Sequence, residues 1–468
     1  MKIPHILKTI SKTLQAKNAK AIIVGGCVRD HFLELPIKDY DVEVYGLEKM
    51  EKLEEVLILY GSVNLVGKSF GVLKFNYEGE EYDFSFPRTE AKVSVGHRGF
   101  DVEVDGTLSY KKAAIRRDFS INALGYEIET GNFLDPFGGQ DDMQAKVLRH
   151  IDDATFIEDP LRVYRAVQFC ARFGYTLAEE TFVLCQKMVA EGMLDELAKE
   201  RVYTEWKKLL LKSPKPSVGF ELMRELGITK RYFPELHALI DIPQSPKWHP
   251  EGDVWIHTMM TLDEMAKLCR SGCPHPDKKQ NLRFLFSILC HDLGKATHTS
   301  IEEDGRIRAI GHEEAGIEPT KSLLYRLSDE HDFIDALLPL VEHHLKPSQF
   351  YHGKAKASAF RRLATKVNIE ELVIVAKADF LGRTTEESLA GIYHAGEWML
   401  EKARGLKVES KPLAPLLQGR DLIALGLEPS PRFKEILDGV YQRQLAGKLE
   451  RRDEALEYVK KEYKHETN

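Results

Sequence analysis

The residues best placed to do chemistry open with IIVGGCVRD, where Gly25 and Gly26 separate a β-rich run from a probable helix start. Bare backbone there can approach a phosphate chain closely, with helix N–H groups facing it. KDYDVEVYG follows. Its Asp39 and Asp41 alternate with Tyr40 and Val42, so one strand face carries two carboxylates while the other carries apolar side chains. A pair so placed can hold Mg²⁺, and such ions lower the pKa of an attacking hydroxyl and stabilise charge on transferring phosphate. A second alternating run, EEYDFSFPRTE, offers Asp83 as a third carboxylate, with Glu43 as the competing candidate.

Further along, EDPLRVYRAVQF reads as a helix with Pro160 in its first turn. Asp159 and Arg162 then occupy neighbouring positions on one face. A carboxylate accepts from an exocyclic amine, and a guanidinium donates to the adjacent ring nitrogen. Cytosine and adenine both present that pattern on their pairing edge, whereas guanine and uracil present the reverse. One protein edge can therefore select two bases without a template. The bland reading is a surface ion pair of little energetic value.

The remaining motifs fall in an order that resembles the class II tRNA nucleotidyltransferase and bacterial poly(A) polymerase family. VGGCVRDHFLELPIKDYDVEVYG resembles its first motif. RRDFSINALGY carries Arg116, Arg117 and Asp118; EDPLRVYR carries Glu158, Asp159, Arg162 and Arg165; KERVYTEW carries Glu200, Arg201 and Glu205. The resemblance implies catalysis by Asp39, Asp41 and Asp83 with Mg²⁺, and nucleotide binding by Gly25, Gly26, Arg29, Arg117, Asp118, Asp159, Arg162 and Arg165. It implies addition of C, C and A to tRNA from CTP and ATP, with pyrophosphate released. Two details refine this. Gln168 stands where many relatives carry an arginine, and Ser69 stands where poly(A) polymerases usually show a second basic residue. The stretch from Ala91 to Ile115 matches in length the loop that complete CCA-adding relatives use to switch from C to A.

His257, His291, Asp292 and Asp379 form a second constellation. Imidazole and carboxylate from separate helices can converge on one divalent metal with positions left open for water. The set resembles the HD phosphohydrolase superfamily, which implies a divalent transition metal and phosphatase or cyclic phosphodiesterase chemistry. His312 and the His343-His344 pair are possible extensions, and His249 a weaker one. Cys269, Cys273 and His275 have a loose likeness to a zinc site, although scattered reduced thiols are the simpler reading.

These residues require an α+β architecture. Short β-rich runs (AIIVGG, DYDVEVYG, FGVLKFNY, EEYDFSF, NALGYEIE) predict a small mixed sheet with helices, followed by all-helical parts; the resemblance implies that the sheet region, residues 1–141, is a nucleotidyltransferase head of the polymerase-β type. A helical neck is expected over 142–215, up to the break SPKPS. An HD domain follows over 216–404, where twelve of the seventeen histidines lie, and then a charged helical tail over 405–468. The net charge of −7 excludes a protein that coats nucleic acid by bulk electrostatics, so tRNA contact must come from local basic stretches such as KERVYTEWKKLLLK and the tail. No run approaches the apolar length of a membrane helix, the N-terminus lacks a secretory pattern, and neither DNA nor a membrane is expected as partner; the expected location is cytoplasmic. Two rival readings remain: an A-only tRNA enzyme or poly(A) polymerase sharing the head motifs, and an HD phosphohydrolase whose head merely binds RNA.

Overall fold

The almost unbroken apolar run KAIIV forms strand β1 (Lys20–Val24), buried inside a seven-stranded sheet of order β3-β4-β5-β2-β1-β8-β9. The computed structural model describes residues 1–64, 71–92, 100–271 and 277–463. Ser69, Cys273 and His275 lie outside the described residues. Strands β2 (Tyr40–Tyr45), β4 (Val72–Tyr77), β5 (Glu80–Ser85) and β8 (Gly125–Glu127) coincide with the runs expected from alternation, and β3 (Ser62–Asn64) and β9 (Phe133–Leu134) extend the edges. Strand β2 alternates because Val42 and Val44 enter the core while Asp41 and Glu43 point away from it. It pairs antiparallel with β1 and parallel with β5. That register sets Asp41 directly opposite Asp83 and Val42 opposite Phe84. Below them Phe75 and Phe84 meet edge to face at 5.9 Å, fixing the sheet's packed side.

Part of the stretch between Ala91 and Ile115 is ordered as secondary structure. Strand β6 (Arg88–Lys92) pairs antiparallel with β7 (Phe100–Val104) as a separate ribbon, and a short helix, Tyr110–Ala114, follows.

The chain divides into two compact units, Met1–Ser213 with Val218–Tyr232, and Pro214–Ser217 with Phe233–Asn468. In the first, the helix Lys199–Lys212 packs along Leu161–Phe173. Gly174, at φ 67°, ends the latter in the left-handed conformation that stops helices. Trp206 is fully buried with its ring edge-on to Phe220 at 5.2 Å.

The second unit is built on four mutually packed helices, Val254–Arg270, Lys278–Cys290, His331–Glu342 and Ile369–Leu381. Their apolar faces supply Leu262, Phe284, Leu285, Leu337 and Leu372 to the core. A small separate cluster, including Leu422, Ile436, Val440 and Val459, holds the last three helices, Gly419–Ala424, Arg432–Leu445 and Arg452–Tyr463. The mixed-sheet head followed by largely helical structure is the α+β class expected.

Candidate active sites

In the first unit, chemistry gathers at the end of β2 and β5. Asp39 lies one residue before β2, and Asp41 and Asp83 face each other across the parallel pair. Burial pushes the Asp41 carboxyl up, Asp83, Asp39 and Glu43 add to the rise, and Arg117 offsets part of it. Burial likewise raises Asp83, opposed by Lys74, whose Nζ is 3.8 Å from Asp83 Oδ1. That oxygen is buried and accepts no hydrogen bond. Glu43, in contrast, is committed: Arg117 Nη2 and the Tyr45 hydroxyl each donate to it at 2.7 Å. Among the described residues, groups of three ligand atoms all within 4.8 Å of one another arise only in the second unit. Asp41 and Asp83 therefore lie side by side on neighbouring inner strands, outside any such three-ligand group.

Gly25 is required here by geometry. Its φ is 73°, and a Cβ would meet Arg117 Nη1 at 2.9 Å. Gly26 has no such constraint; a Cβ there would make ordinary contact with Arg29 at 3.5 Å.

Beside this turn lies a cavity of about 350 Å³ lined by Glu43, Asp118, Asp159 and five arginines, at 116, 117, 162, 165 and 201. A cavity of that size and sign suits a phosphate-bearing ligand. Asp159 and Arg162 both line it, but Asp159 pairs with Arg201, whose Nη2 is 3.2 and 3.1 Å from its two oxygens, and Asp159 Oδ1 also accepts from Leu161 N at 3.2 Å. Arg162 donates through Nη1 to the Thr155 carbonyl at 2.6 Å and through Nη2 to the Arg116 carbonyl at 2.7 Å.

Asp118 is buried and braces the cavity. Its Oδ2 accepts from Arg165 Nε at 2.7 Å, and its Oδ1 accepts from Asn122 Nδ2 at 2.8 Å and Phe119 N at 2.9 Å. Burial alone would raise this carboxyl, yet Arg165 and Asn122 outweigh it and hold it below the ordinary value. Arg29 is committed inside the fold: it donates to Asp30 and to Asn122 Oδ1 and stacks between Phe169 and Phe173 at 5.3 and 4.9 Å. Gln168 is buried too, at 1% exposure, so its departure from arginine falls in the interior.

The second unit brings His257, His291, Asp292 and Asp379 together and adds two histidines. His257 Nε2 is 3.1 Å from Asp379 Oδ1 and 3.8 Å from Asp292 Oδ2. His291 Nε2 is 3.2 Å from Asp292 Oδ2, and His312 Nε2 is 3.2 Å from Asp292 Oδ1. His344 Nε2 lies 3.9 Å from that same oxygen. Three ligand groups result, His257/His291/Asp379, Asp292/His312/His344 and, sharing His257, His249/Glu251/His257. His343 faces elsewhere, beside Glu342.

Every one of these four rings is fixed through Nδ1. His291, His312 and His344 each bond the carbonyl three residues back, at 2.6, 2.6 and 2.7 Å, and His257 Nδ1 contacts Glu251 Oε1 at 2.7 Å. A ring that donates from Nδ1 presents the Nε2 lone pair, the form that ligates metal. Nε2 of His291 and of His312 and both oxygens of Asp292 are buried without a hydrogen bond of ordinary geometry. The donor set thus fits a divalent metal. Lys295 Nζ at 2.7 Å from Asp292 and Arg383 Nη2 at 2.9 Å from Asp379 offset the buried negative charge. Both carboxyls lie well below their ordinary values, burial being outweighed by His291 and Lys295 at Asp292 and by Arg383 and His257 at Asp379.

Sequence reasoning missed Glu251, Lys295 and Arg383 here; in the head it named Arg201 within KERVYTEW without giving it a role, and it did not single out Asn122, which braces Asp118 and Arg29. Lys295 follows Asp292 by three residues and Arg383 follows Asp379 by four, spacings at which a helical partner is expected. Glu251 and Asn122 carried no such signal.

Comparison with known proteins gives a concordant picture. Residues 21–149 match the poly A polymerase head domain, 174–240 the probable RNA and SrmB-binding site of polymerase A, and 254–383 the HD domain. The chain is 38% identical over 375 residues to a multifunctional CCA protein of Methylobacillus flagellatus, covering 78% of this chain and 85% of the relative. It is 35% identical over 429 residues to the multifunctional CCA protein of Xanthomonas euvesicatoria pv. vesicatoria, covering 89% and 96%. In fold it is similar to the Bacillus stearothermophilus CCA-adding enzyme in complex with CTP, at a TM-score of 0.64 and 19% identity, covering 99% of this chain and 100% of that one. It is also similar to the Thermotoga maritima CCA-adding enzyme complexed with tRNA-CCA, at a TM-score of 0.61 and 20% identity over 98% and 95% of the two chains.

Proposed function

The chain belongs to the class II CCA-adding enzyme and poly(A) polymerase family with an HD domain, and from that premise we propose that it adds C, C and A to the 3′ end of tRNA from CTP and ATP, releasing pyrophosphate. The observation that carries the reading is the resting geometry of Asp159 and Arg162 on one cavity. Asp159 Oδ2 accepts only from Arg201 among the bonds described, so a lone pair remains for an exocyclic amine. Arg162 uses two of its five N–H donors on backbone carbonyls, which fix the guanidinium and leave donors for a ring nitrogen. The pair reads cytosine or adenine without rebuilding the pocket.

Asp39, Asp41 and Asp83 hold Mg²⁺ in this reading, with Asp83 favoured over Glu43 because Arg117 and Tyr45 occupy the latter. Bound there, Mg²⁺ supplies a lowered pKa for the tRNA 3′-hydroxyl and charge for the leaving pyrophosphate. Gly25 lets Arg117 close on the turn, Arg117 and Arg165 face the triphosphate, and Asp118 and Asn122 keep Arg165 in place. Arg29 serves as a strut of the same turn. The work divides as head (1–141), neck (142–215), HD domain (216–404) and tail (405–468). The protein acts in the cytoplasm, in keeping with five free cysteines among the described residues. No described helix is long and apolar enough to cross a membrane.

The second unit supports a phosphohydrolase activity beside transfer. His257, His291, Asp292 and Asp379 hold a divalent transition metal, with His312 and His344 completing the opposite side of Asp292. Such a metal supplies a water acidic enough to attack phosphorus. Glu251 keeps His257 in the ligating tautomer.

Purified protein is incubated with Mg²⁺, tRNA lacking its 3′ end and each labelled nucleotide in turn. CTP and ATP should be incorporated, GTP and UTP refused, and Asp41→Ala should abolish transfer. Incorporation of A alone, and only on tRNA already ending in CC, overturns the complete-CCA reading; an active Asp41→Ala overturns the site.

A further inference from the structure

We propose that Trp248 is a base platform at the mouth of the second unit's histidine-aspartate cavity, the side chain that grips the nucleobase of a nucleotide phosphate ester held there. The inference rests on the phosphohydrolase reading of that site. The cavity, about 240 Å³, has Asp292, Asp379, His312 and His344 at its chemical end and Trp248 and Arg308 among its other lining residues. Ligand pockets usually enclose roughly 300–1,000 Å³. The space therefore suits a phosphate and its sugar, with a base left at the rim.

Trp248 is what the rim offers. It is 51% exposed, whereas Trp206 and Trp255 in the same chain are fully buried. Its position is built rather than loose. The N–H groups of Trp248 and His249 both bond the Ser245 carbonyl, at 3.0 and 2.9 Å, closing a tight turn. His249 Nδ1 then contacts Glu251 Oε1 at 3.0 Å, and Glu251 fixes His257 at 2.7 Å. One short segment thus fixes both the backbone that carries the indole and a proposed metal ligand. Lys247 Nζ sits over the indole at 4.9 Å from the ring centroid, which adds positive charge beside an aromatic face. Deeper in, Lys295 is buried, anchored to Gln244 Oε1 at 2.6 Å and paired with Asp292 at 2.7 Å, so that the charge of a phosphate there would be met by the metal this end of the cavity would hold. Aromatic rim and metal-holding depth match base and phosphate in that order.

For a nucleoside 2′,3′-cyclic phosphate, hydrolysis joins a water oxygen to phosphorus and breaks one ribose P–O bond, and the released ribose oxygen takes a proton. Trp248 takes no part in those bonds; it lowers KM by holding the base. A base-free ester with the same five-membered ring, glycerol 1,2-cyclic phosphate, gains nothing from it.

The test measures kcat and KM of metal-loaded full-length protein for adenosine 2′,3′-cyclic phosphate and glycerol 1,2-cyclic phosphate. Trp248→Ala should raise KM for the adenosine ester roughly five- to 150-fold, the range of one stacked base, with kcat little changed. Its KM for the glycerol ester should move less than twofold, and Trp248→Phe should restore most of the adenosine preference. Equal effects on both esters, or none on either, overturn the platform. If the unaltered protein hydrolyses neither ester, the phosphohydrolase reading fails separately. The platform is then judged by tryptophan fluorescence: adenosine 3′-phosphate should quench the unaltered protein and not Trp248→Phe, glycerol 2-phosphate should quench neither, and an equal response of both proteins refutes it.

Discussion

Replacing Asp159 with Asn separates base reading from folding. In stability the change is small. Asn accepts from the N–H two residues on as Asp does, so the bond from Leu161 N is kept. The pair with Arg201 that loses its charge is partly exposed, 31% on the arginine side chain and 24% on the aspartate, and such pairs contribute about 0–1 kcal/mol. The unfolding free energy should fall by no more than about 1 kcal/mol. Specificity should change far more. A carboxylate can only accept, whereas an amide can turn its NH₂ toward the O4 of uracil or the O6 of guanine. A well-placed bidentate base contact discriminates by about 1–3 kcal/mol, so the ratio of kcat/KM for CTP over UTP should drop about five- to 150-fold. The assay is steady-state single-nucleotide incorporation on tRNA lacking its 3′ end, with urea unfolding run alongside. A CTP/UTP ratio within threefold of the unaltered protein, at intact stability, refutes base reading by Asp159. A large stability loss would instead show that the bonds to Arg201 and to Leu161 N are the residue's main business.

Asp118→Asn should cost about 3–5 kcal/mol at pH 7, toward the lower end because Arg165 keeps 31% side-chain exposure. Since the native carboxyl sits below its unfolded value, its stabilisation is fully present above the ordinary carboxylate range and fades as pH falls through the native value. Urea titrations should therefore show the gap between the two proteins widest at neutral pH and shrinking below about pH 4; a constant gap contradicts the ion-pair account. His291→Ala with Asp292→Ala should abolish phosphohydrolysis and leave CTP incorporation intact, while Asp41→Ala does the reverse. Retained hydrolysis, with contaminants excluded, refutes the assigned metal ligands. Dialysis against a chelator should silence the hydrolase, and readdition of a divalent transition metal should restore it; a chelator-resistant hydrolase excludes the metal role.

The strands were legible where apolar residues alternate or run together. KAIIV, YDVEVY and EEYDFS each carry enough Val, Ile, Tyr or Phe to declare themselves, and β3 and β9, three and two residues long, do not. The parallel register that sets Asp41 against Asp83 was beyond the sequence, because pairing between strands separated by some forty residues is decided by the sheet. Single-residue patterns also overstate freedom. Arg29 looks like a phosphate contact in GGCVRD, yet two aromatic rings from the helix Leu161–Phe173 enclose it. Helix periodicity placed Asp159 and Arg162 on one face, and it could not foresee that Arg201, from a different helix, would take the carboxylate. The histidines were countable but not sortable. His343 and His344 are adjacent in the chain, and only the turn after Glu342 decides that His344 bonds Val341 and enters the cluster.

What the two sites share is the use of backbone carbonyls to aim side chains before any ligand arrives. Three histidines are held by the carbonyl three residues earlier, and Arg162 is held by the carbonyls of Thr155 and Arg116. Such bonds are made by atoms that no side-chain substitution removes, so the aim survives changes around it, and ordering entropy is lost at folding rather than at binding. The carboxylates are treated differently. Asp118, Asp292 and Asp379 each have a cation within 3 Å, whereas Lys74 stands 3.8 Å from Asp83, and burial leaves Asp41 and Asp83 with raised carboxyls despite Arg117 and Lys74. A site whose charge is already offset can keep its shape without metal, while one whose carboxyls are raised by burial gains most when metal enters. Metal binding should accordingly stabilise the β2–β5 pair of the first unit more, per ion, than the histidine cluster of the second. Hydrogen exchange of β2 and β5 amides with and without Mg²⁺ reads that difference directly, and protection unchanged by Mg²⁺ would place the ion elsewhere.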